Sequence, residues 1–298
     1  MDSCMIETSH VSRSFAKSPA VRDLNLRVRR GSIYGLLGRN GAGKTTALKM
    51  LAGLIWPDAG TIAVNGVEPA RFTVQDRWKI GYVSERQILN PHLRVGALIR
   101  FTSSFYPDWD FDACDRLLQR FKIDPAKRIR ALSLGMTRQV AFLLALAQKP
   151  DLLILDEPAA NLDVVARRQF LDELLDLLRE GGKTVLLSSH ILSDVERVAD
   201  EIGILAHGHL KLSEPLDRLK ETVKKVRFYG FDKGPNGLEI PEAFQVRKTA
   251  GEVLATLRIE DESRLQKFAA EHRCRYEIMD LNLEDIFVEV VSEPGGEP

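Results

Sequence analysis

The run Gly38-Arg39-Asn40-Gly41-Ala42-Gly43-Lys44-Thr45 constrains this chain more than any other stretch, because it satisfies G-x-x-x-x-G-K-[ST] between a strand pattern and a helix pattern. Before it, residues 32–37 (SIYGLL) read as a short buried strand. After it, residues 45–54 follow helical spacing until Pro57 and Gly60 stop them. Glycines let a backbone curl so that successive N–H groups point inward, and a helix starting there adds the positive end of its dipole. Such a loop cradles phosphate oxygens. Lys44 would reach the β- and γ-phosphates of a nucleotide, and the Thr45 hydroxyl would sit on Mg²⁺. Alone, the pattern also describes a glycine-rich turn with a solvated lysine; the flanking strand and helix favour the phosphate loop.

A second signal lies further along. Leu152-Leu153-Ile154-Leu155-Asp156-Glu157 is an apolar strand ending in paired acids. Burying aliphatics and then presenting two carboxylates at a strand end is what a metal-and-water site requires. Asp156 can hold Mg²⁺ through its shell, and Glu157 can orient or deprotonate an attacking water. Without a phosphate loop the same residues would be a strand running into a polar turn.

Strands alternate with helices through most of the chain, which argues an α/β fold with a mostly parallel sheet. Residues 91–149 are mainly helical, with Phe111, Leu117, Leu118 and Phe121 expected on one apolar face. Residues 152–155, a helix Val164–Arg179 closed by Gly181-Gly182, and residues 184–188 form a strand–helix–strand unit. Residues 193–196 (SDVE) fit a capping box opening another helix. After about Leu216 the texture changes: residues 245–247 and 253–259 alternate around Ala250-Gly251-Glu252 as a hairpin, and residues 263–272 and Leu283–Val291 are helical. The expected organisation is a nucleotide-binding domain over 1–216, with a helical subdomain at about 91–149, and an accessory α+β domain over 217–298 that ends in an irregular SEPGGEP tail.

Composition narrows the partners. At 298 residues and 44% hydrophobic content the chain can bury the cores of two domains. Lys+Arg and Asp+Glu are equal at 42 each, so no basic footprint calls for a nucleic acid. Cys4, Cys114 and Cys274 are odd in number and far apart, which points to a reducing cytosol rather than a disulfide framework. The start, MDSCMIETSHVSRSF, has no apolar signal core, and no apolar run approaches the ~18 residues of a membrane helix. A soluble, cytoplasmic chain is expected.

Between and beyond the two acidic and glycine-rich motifs stand further matches. Ala131-Leu132-Ser133-Leu134-Gly135-Met136-Thr137-Arg138-Gln139 resembles the LSGGQ signature of the ABC ATPase family. Ala160-Asn161-Leu162-Asp163 is similar to its D-loop, Ser188-Ser189-His190 to its switch histidine, and Phe15 to the aromatic that stacks on adenine. The resemblance covers roughly residues 5 to 215, and the ordered set is more specific than any member. Gly81-Tyr82-Val83-Ser84-Glu85, the LSLGM signature and Leu281-Asn282-Leu283-Glu284-Asp285-Ile286-Phe287 resemble bacterial and archaeal exporter ATPases with separate permease subunits.

The resemblance implies a P-loop NTPase core with an inserted helical subdomain and a small C-terminal α+β domain, which binds and hydrolyses ATP with Mg²⁺ to drive transport. It assigns nucleotide contacts to Phe15, Gly38, Asn40, Gly41, Ala42, Gly43, Lys44, Thr45, Thr46, Ser133 and Gly135, catalysis to Glu157, His190 and Lys44, and metal binding to Thr45, Asp156 and Glu85. It also implies a head-to-tail dimer with a second ATPase subunit, identical or different, in which Ser133 meets the partner's γ-phosphate. An integral membrane permease would attach near Glu85 and the helical region after it, placing the chain at the inner face of the membrane. This sequence departs from the family pattern where Leu134 and Met136 replace glycine and glutamine, and where Glu85, with Gln87 two residues on, stands for the metal-sensing glutamine. A non-transport ABC ATPase acting on nucleic acid or the ribosome is opposed by neutral charge and a single cassette. A kinase or GTPase is opposed by the signature set and by the lack of an NKxD run.

Overall fold

The structure, a computed structural model, describes residues 4–16, 18–86, 88–160, 162–179, 182–231, 240, 243–249 and 251–291. Gln87, Asn161, Gly181, Ala250 and the tail 292–298, on which the sequence reading drew, lie outside the described residues. The chain divides into two compact units, Met1–Ser213 and Glu214–Pro298.

The first unit is built on a six-stranded sheet that runs, from one edge to the other, His209–Pro215, Glu201–Ala206, Ile33–Leu37, Thr184–Ser189, Leu152–Asp156 and Ile80–Val83. From Glu201–Ala206 to Ile80–Val83 every neighbouring pair is parallel. Ile33–Leu37, Leu152–Asp156, Thr184–Ser189 and Glu201–Ala206 are buried at every position. Parallel sheets covered on both faces read this way, as continuous apolar runs rather than alternation. Because the strands point in one direction, their C-terminal ends share one edge: Leu37 pairs with Ser189, and Asp156 with Ser188. That edge is where ligands bind in open α/β sheets.

A second, antiparallel sheet centres on Cys4–Phe15, which pairs with Ser18–Leu24, Arg27–Arg29 and Ala59–Val64. Its inner face and the parallel sheet enclose the helix Lys44–Leu51: Met5, Ile6, Val28 and Val64 join Ala47, Leu48, Met50 and Leu51 and then Leu152, Ile154 and Leu186 in one core. The helix is shorter than residues 45–54. Gly53 takes φ 67, its N–H bonds Met50 O at 3.1 Å, and Leu54 N–H bonds Lys49 O at 2.9 Å. This closure ends the helix before Pro57 is reached.

The helical segment contains Val95–Ser103, Phe111–Arg120 and Leu134–Ala147. In Phe111–Arg120 the buried face is Ala113, Cys114, Leu117 and Leu118, continued by Phe121. Phe111 does not belong to it: it occupies the first helical position, at the flank of that stripe, and is 52% exposed. The expected capping box at 193–196 is also absent. Leu192–Val198 starts after Ile191 with no side-chain cap, because Ser189 Oγ already accepts from Ile191 N–H at 2.9 Å and turns the chain into the helix early. Reciprocal capping occurs instead between Thr73 and Asp76, at 2.9 and 3.2 Å.

The second unit holds an antiparallel sheet in the order Gln245–Lys248, Glu252–Arg258, Val223–Tyr229, Arg275–Asp280. The hairpin read from sequence supplies its first two strands. One face buries Val226, Phe228, Val253, Ala255 and Leu257 with Leu265 of the helix Glu262–Glu271. The other carries Lys225, 2.8 Å from Glu289 of the helix Leu283–Val291, and Arg227, 3.3 Å from Glu252.

Candidate functional site

The loops that leave the C-terminal ends of Ile33–Leu37, Ile80–Val83, Leu152–Asp156 and Thr184–Ser189 converge on a cavity of about 500 Å³. Its lining includes residues 39–46, Glu85, Glu157, Ala160, His190 and Ile191, with Ala20 from the antiparallel sheet. The glycines of the loop do specific work. Gly43 stands at φ 106, and a Cβ there would lie 2.2 Å from Ala20 O. Gly41, at φ 81, faces open space.

Lys44 is buried and folds back over the loop that precedes it: Nζ donates to Gly38 O at 2.6 Å and to Arg39 O at 3.4 Å. Nζ also lies 3.1 Å from Glu157 Oε1. That approach is an ion pair without hydrogen-bond alignment, so Oε1 keeps no hydrogen-bond partner. Glu157 Oε2 is 2.7 Å from His190 Nδ1 and accepts the His190 N–H at 3.3 Å. The Glu157 backbone is left-handed at φ 50, a conformation that costs a non-glycine residue on the order of 1–3 kcal/mol and persists where the surroundings hold it.

Ser188 holds both acids. Its Oγ accepts the Glu157 N–H at 2.9 Å and donates to Asp156 Oδ1 at 2.8 Å. Asp156 is 1% exposed, and its Oδ2 has no hydrogen-bond partner. Burial raises its pKa above the ordinary carboxylate value; the Ser188 hydrogen bond and the nearby Thr45 hydroxyl oppose this, while the charges of Glu157 and Glu85 add to it. A carboxylate oxygen left orphaned beside a threonine hydroxyl is chemistry that suits a hard cation.

The structure therefore gathers Asn40, Gly41, Ala42, Gly43, Lys44, Thr45, Thr46, Glu85, Glu157 and His190 around one cavity. Gly38 lies beneath it and supplies the carbonyl that holds Lys44. Phe15 is not part of the lining: it ends its strand 47% exposed, with the Arg13 guanidinium 5.1 Å from its ring centre. Ser133 and Gly135 stand elsewhere too. Ser133 is the exposed N-cap of Leu134–Ala147, its Oγ accepting the Met136 N–H at 3.1 Å, and Leu134 beside it is 76% exposed. Gln87 and Asn161 lie outside the described residues; Asp163 caps the helix Val164–Arg179 by accepting the Ala166 N–H at 2.8 Å.

Two contributors escaped the sequence reading as site residues. Ser188 was visible only as the first residue of the Ser188-Ser189-His190 run. Arg138, three residues after Gly135, donates from Nη2 to Glu85 O at 2.9 Å and from Nη1 to Glu157 O at 3.3 Å.

Residues 21–160 match the family described as ABC transporter. The chain is similar to ABC transporter ATP-binding protein YtrB of Bacillus subtilis, at 30% identity with 95% of this chain and 97% of that protein covered. It is similar to Nod factor export ATP-binding protein I of Burkholderia orbicola, at 31% identity with 95% of both covered. Bacitracin transport ATP-binding protein BcrA of Bacillus licheniformis is 33% identical over 75% of this chain and 74% of that protein. Among solved structures, an ATP-binding subunit of an ABC transporter aligns with a TM-score of 0.66 and 29% identity, covering 73% of this chain and 92% of the other. A bacterial ABC transporter cassette solved as a dimer shares the fold at a TM-score of 0.65 and 23% identity, over 71% and 99% of the two chains.

The loop geometry makes a prediction. Gly43→Ala adds a methyl against Ala20 O as well as backbone strain, whereas Gly41→Ala adds strain alone. Gly43→Ala is expected to weaken ATP binding by at least about tenfold and Gly41→Ala by less, since left-handed strain on one alanine costs roughly 1–2 kcal/mol. Titration with a fluorescent ATP analogue checks the order.

Proposed function

The chain belongs to the ABC transporter family as an ATP-hydrolysing subunit that powers transport, and we propose that it powers export through separate membrane permease subunits. Its fold is the P-loop NTPase core of ABC ATPases, with an inserted helical segment and a second α+β unit. The observation that carries the mechanism is the contact of Glu157 with both Lys44 and His190 at the mouth of the glycine-rich loop. Export is supported by the GYVSE, LSLGM and LNLEDIF runs and by the relative whose name specifies Nod factor export. Among the described residues no helix is long and apolar enough to cross a membrane. The passage is assigned to a permease, which docks near Glu85 and the helices after it and holds the chain at the inner face.

Each residue has a part. Backbone N–H groups of residues 40–46 surround the phosphates, and the Lys44 ammonium, now held by Gly38 O and Glu157, is the cation that those phosphates take over. Glu157 takes a proton from the attacking water. Its Oε2 is an acceptor, so His190 Nδ1 donates between them and Nε2 is the ring nitrogen left to face a γ-phosphate oxygen. Phe15 stacks on adenine. Thr45, Asp156 and Glu85 fit Mg²⁺, which when bound neutralises phosphate charge. Among the described residues no group of three or more His, Cys, Asp or Glu is arranged to hold a metal, and a Mg²⁺ held by Thr45, Asp156 and Glu85 would take further oxygens from nucleotide and water. The exposed Ser133 and the half-buried Gly135 serve the nucleotide of a second ATPase subunit, identical or different, in a head-to-tail dimer. No phosphate or metal motif occurs in the second unit, which is assigned no catalytic part.

Three experiments follow from these roles. Lys44→Ala is expected to weaken ATP binding, and Glu157→Gln to leave binding nearly intact while cutting hydrolysis by ~10²–10⁴ fold, the range of a general base. Equal loss of binding in both variants would contradict the division. Glu157→Gln, measured by light scattering, should form a dimer with ATP and not with ADP, because ATP bridging two copies shifts association by mass action. Ser133→Arg should abolish it; a protein that stays monomeric in saturating ATP sinks the homodimer. Tagged chain recovered from detergent-solubilised membranes should bring down a protein with several membrane spans, and recovery of soluble partners alone would remove the permease.

A further inference from the structure

Arg138 lies in the signature helix and makes its hydrogen bonds within its own chain. From the second turn of Leu134–Ala147 it sends its guanidinium back to the hydrolytic end of its own chain's site. One Nη donates to Glu85 O and the other to Glu157 O, carbonyls that belong to loops leaving two neighbouring strands. A planar guanidinium offers donors in a fixed fork, so two carbonyls bound to it are held at a set separation. Both loops need such a clamp. Glu157 sits in left-handed backbone, where its carbonyl also accepts the Ala160 N–H at 3.2 Å, and Glu85 lies in a bend with an exposed side chain. Ser188 holds the Glu157 N–H. The peptide units before and after the Glu157 Cα are therefore each held by a side chain, Ser188 on one element and Arg138 on another.

We propose that Arg138 is a positioning residue, which ties the helix Leu134–Ala147 to the Glu85 and Glu157 loops and so sets the Glu157 carboxylate against Lys44 and His190. The inference rests on the role given to Glu157 above. When the helix moves, the guanidinium draws both carbonyls with it, and the carboxylate loses the line from which it takes the proton of water. The side chain is not part of the cavity lining and acts through the loops whose carbonyls it holds.

A double-mutant cycle tests this, with ATP affinity and single-turnover hydrolysis measured on the same proteins. Arg138→Gln should leave ATP affinity within about twofold and slow hydrolysis by about 10- to 100-fold, the cost of displacing a reacting group by roughly an ångström. In a Glu157→Gln background the same change should slow the residual reaction by no more than about twofold, because two residues acting as one unit are not additive. Arg138→Lys keeps the charge and the volume but cannot serve two carbonyls from a plane; it should fall between, and it decides the cycle if Arg138→Gln does not fold. Equal losses in both backgrounds, or affinity lost in step with rate, would overturn the proposal, as would unchanged hydrolysis. A Glu157→Gln protein that turns over at the unaltered rate would instead overturn the role of Glu157 itself.

Discussion

Lys44 and Glu157 are almost wholly enclosed and 3.1 Å apart, and the arrangement of the site depends on that pairing. Removing either partner would strand a buried charge, which costs on the order of 3–5 kcal/mol. The pair is not self-sufficient, since Glu157 Oε1 has no hydrogen bond and Lys44 relies on the carbonyl of Gly38. Each charge is thus a fixed feature only while the glycine-rich loop, the end of Leu152–Asp156 and the turn at His190 keep their places together. The parallel sheet supplies that condition, because Leu37, Asp156, Ser188 and Ser189 stand at one edge in register.

Within this frame a single hydroxyl orders the two acids. Ser188 spends its proton on Asp156 and a lone pair on the Glu157 N–H, so the carboxylate read as the metal ligand and the one read as the base are set by the same oxygen. The left-handed turn at Glu157 makes this geometry possible by swinging the side chain out of the strand direction and toward Lys44 and His190. Strain at one residue is offset by hydrogen bonds to its N–H and its carbonyl.

The parts of this arrangement that were legible in the sequence are those written in consecutive residues. Gly38 to Thr45 announces its own curvature, and 152–157 shows both its burial and its acids without reference to anything else. Ser188 and Arg138 were not legible as site residues because their partners are distant in the chain: Ser188 stands 31 residues from Glu157, and Arg138 stands 53 from Glu85. The strands Val223–Tyr229 and Arg275–Asp280 were missed for another reason. Lys224, Lys225 and Arg227 break the apolar alternation, and only their ion pairs to Asp280, Glu289 and Glu252 explain how a sheet carries them. Phe111 and the 193–196 box failed as local inferences that neighbours overruled: one aromatic at the flank of its helix, one serine displaced by Ser189.

The signature helix shows how two remote roles can share one element. Ser133 Oγ already accepts the Met136 N–H, yet a hydroxyl has a proton to give as well as lone pairs, so capping the helix leaves it free to donate to a phosphate. The positive end of a fourteen-residue helix stands at the same point. Leu134, where the family has glycine, projects into solvent and closes off neither. Five residues after Ser133, the same helix carries Arg138. In the proposed dimer, the start of the helix meets the partner's nucleotide while Arg138 grips the loops of its own site. A helix is stiff over one or two turns, so on this proposal a displacement at Ser133 would carry Arg138 with it, and through Arg138 the loop of this chain's own Glu157.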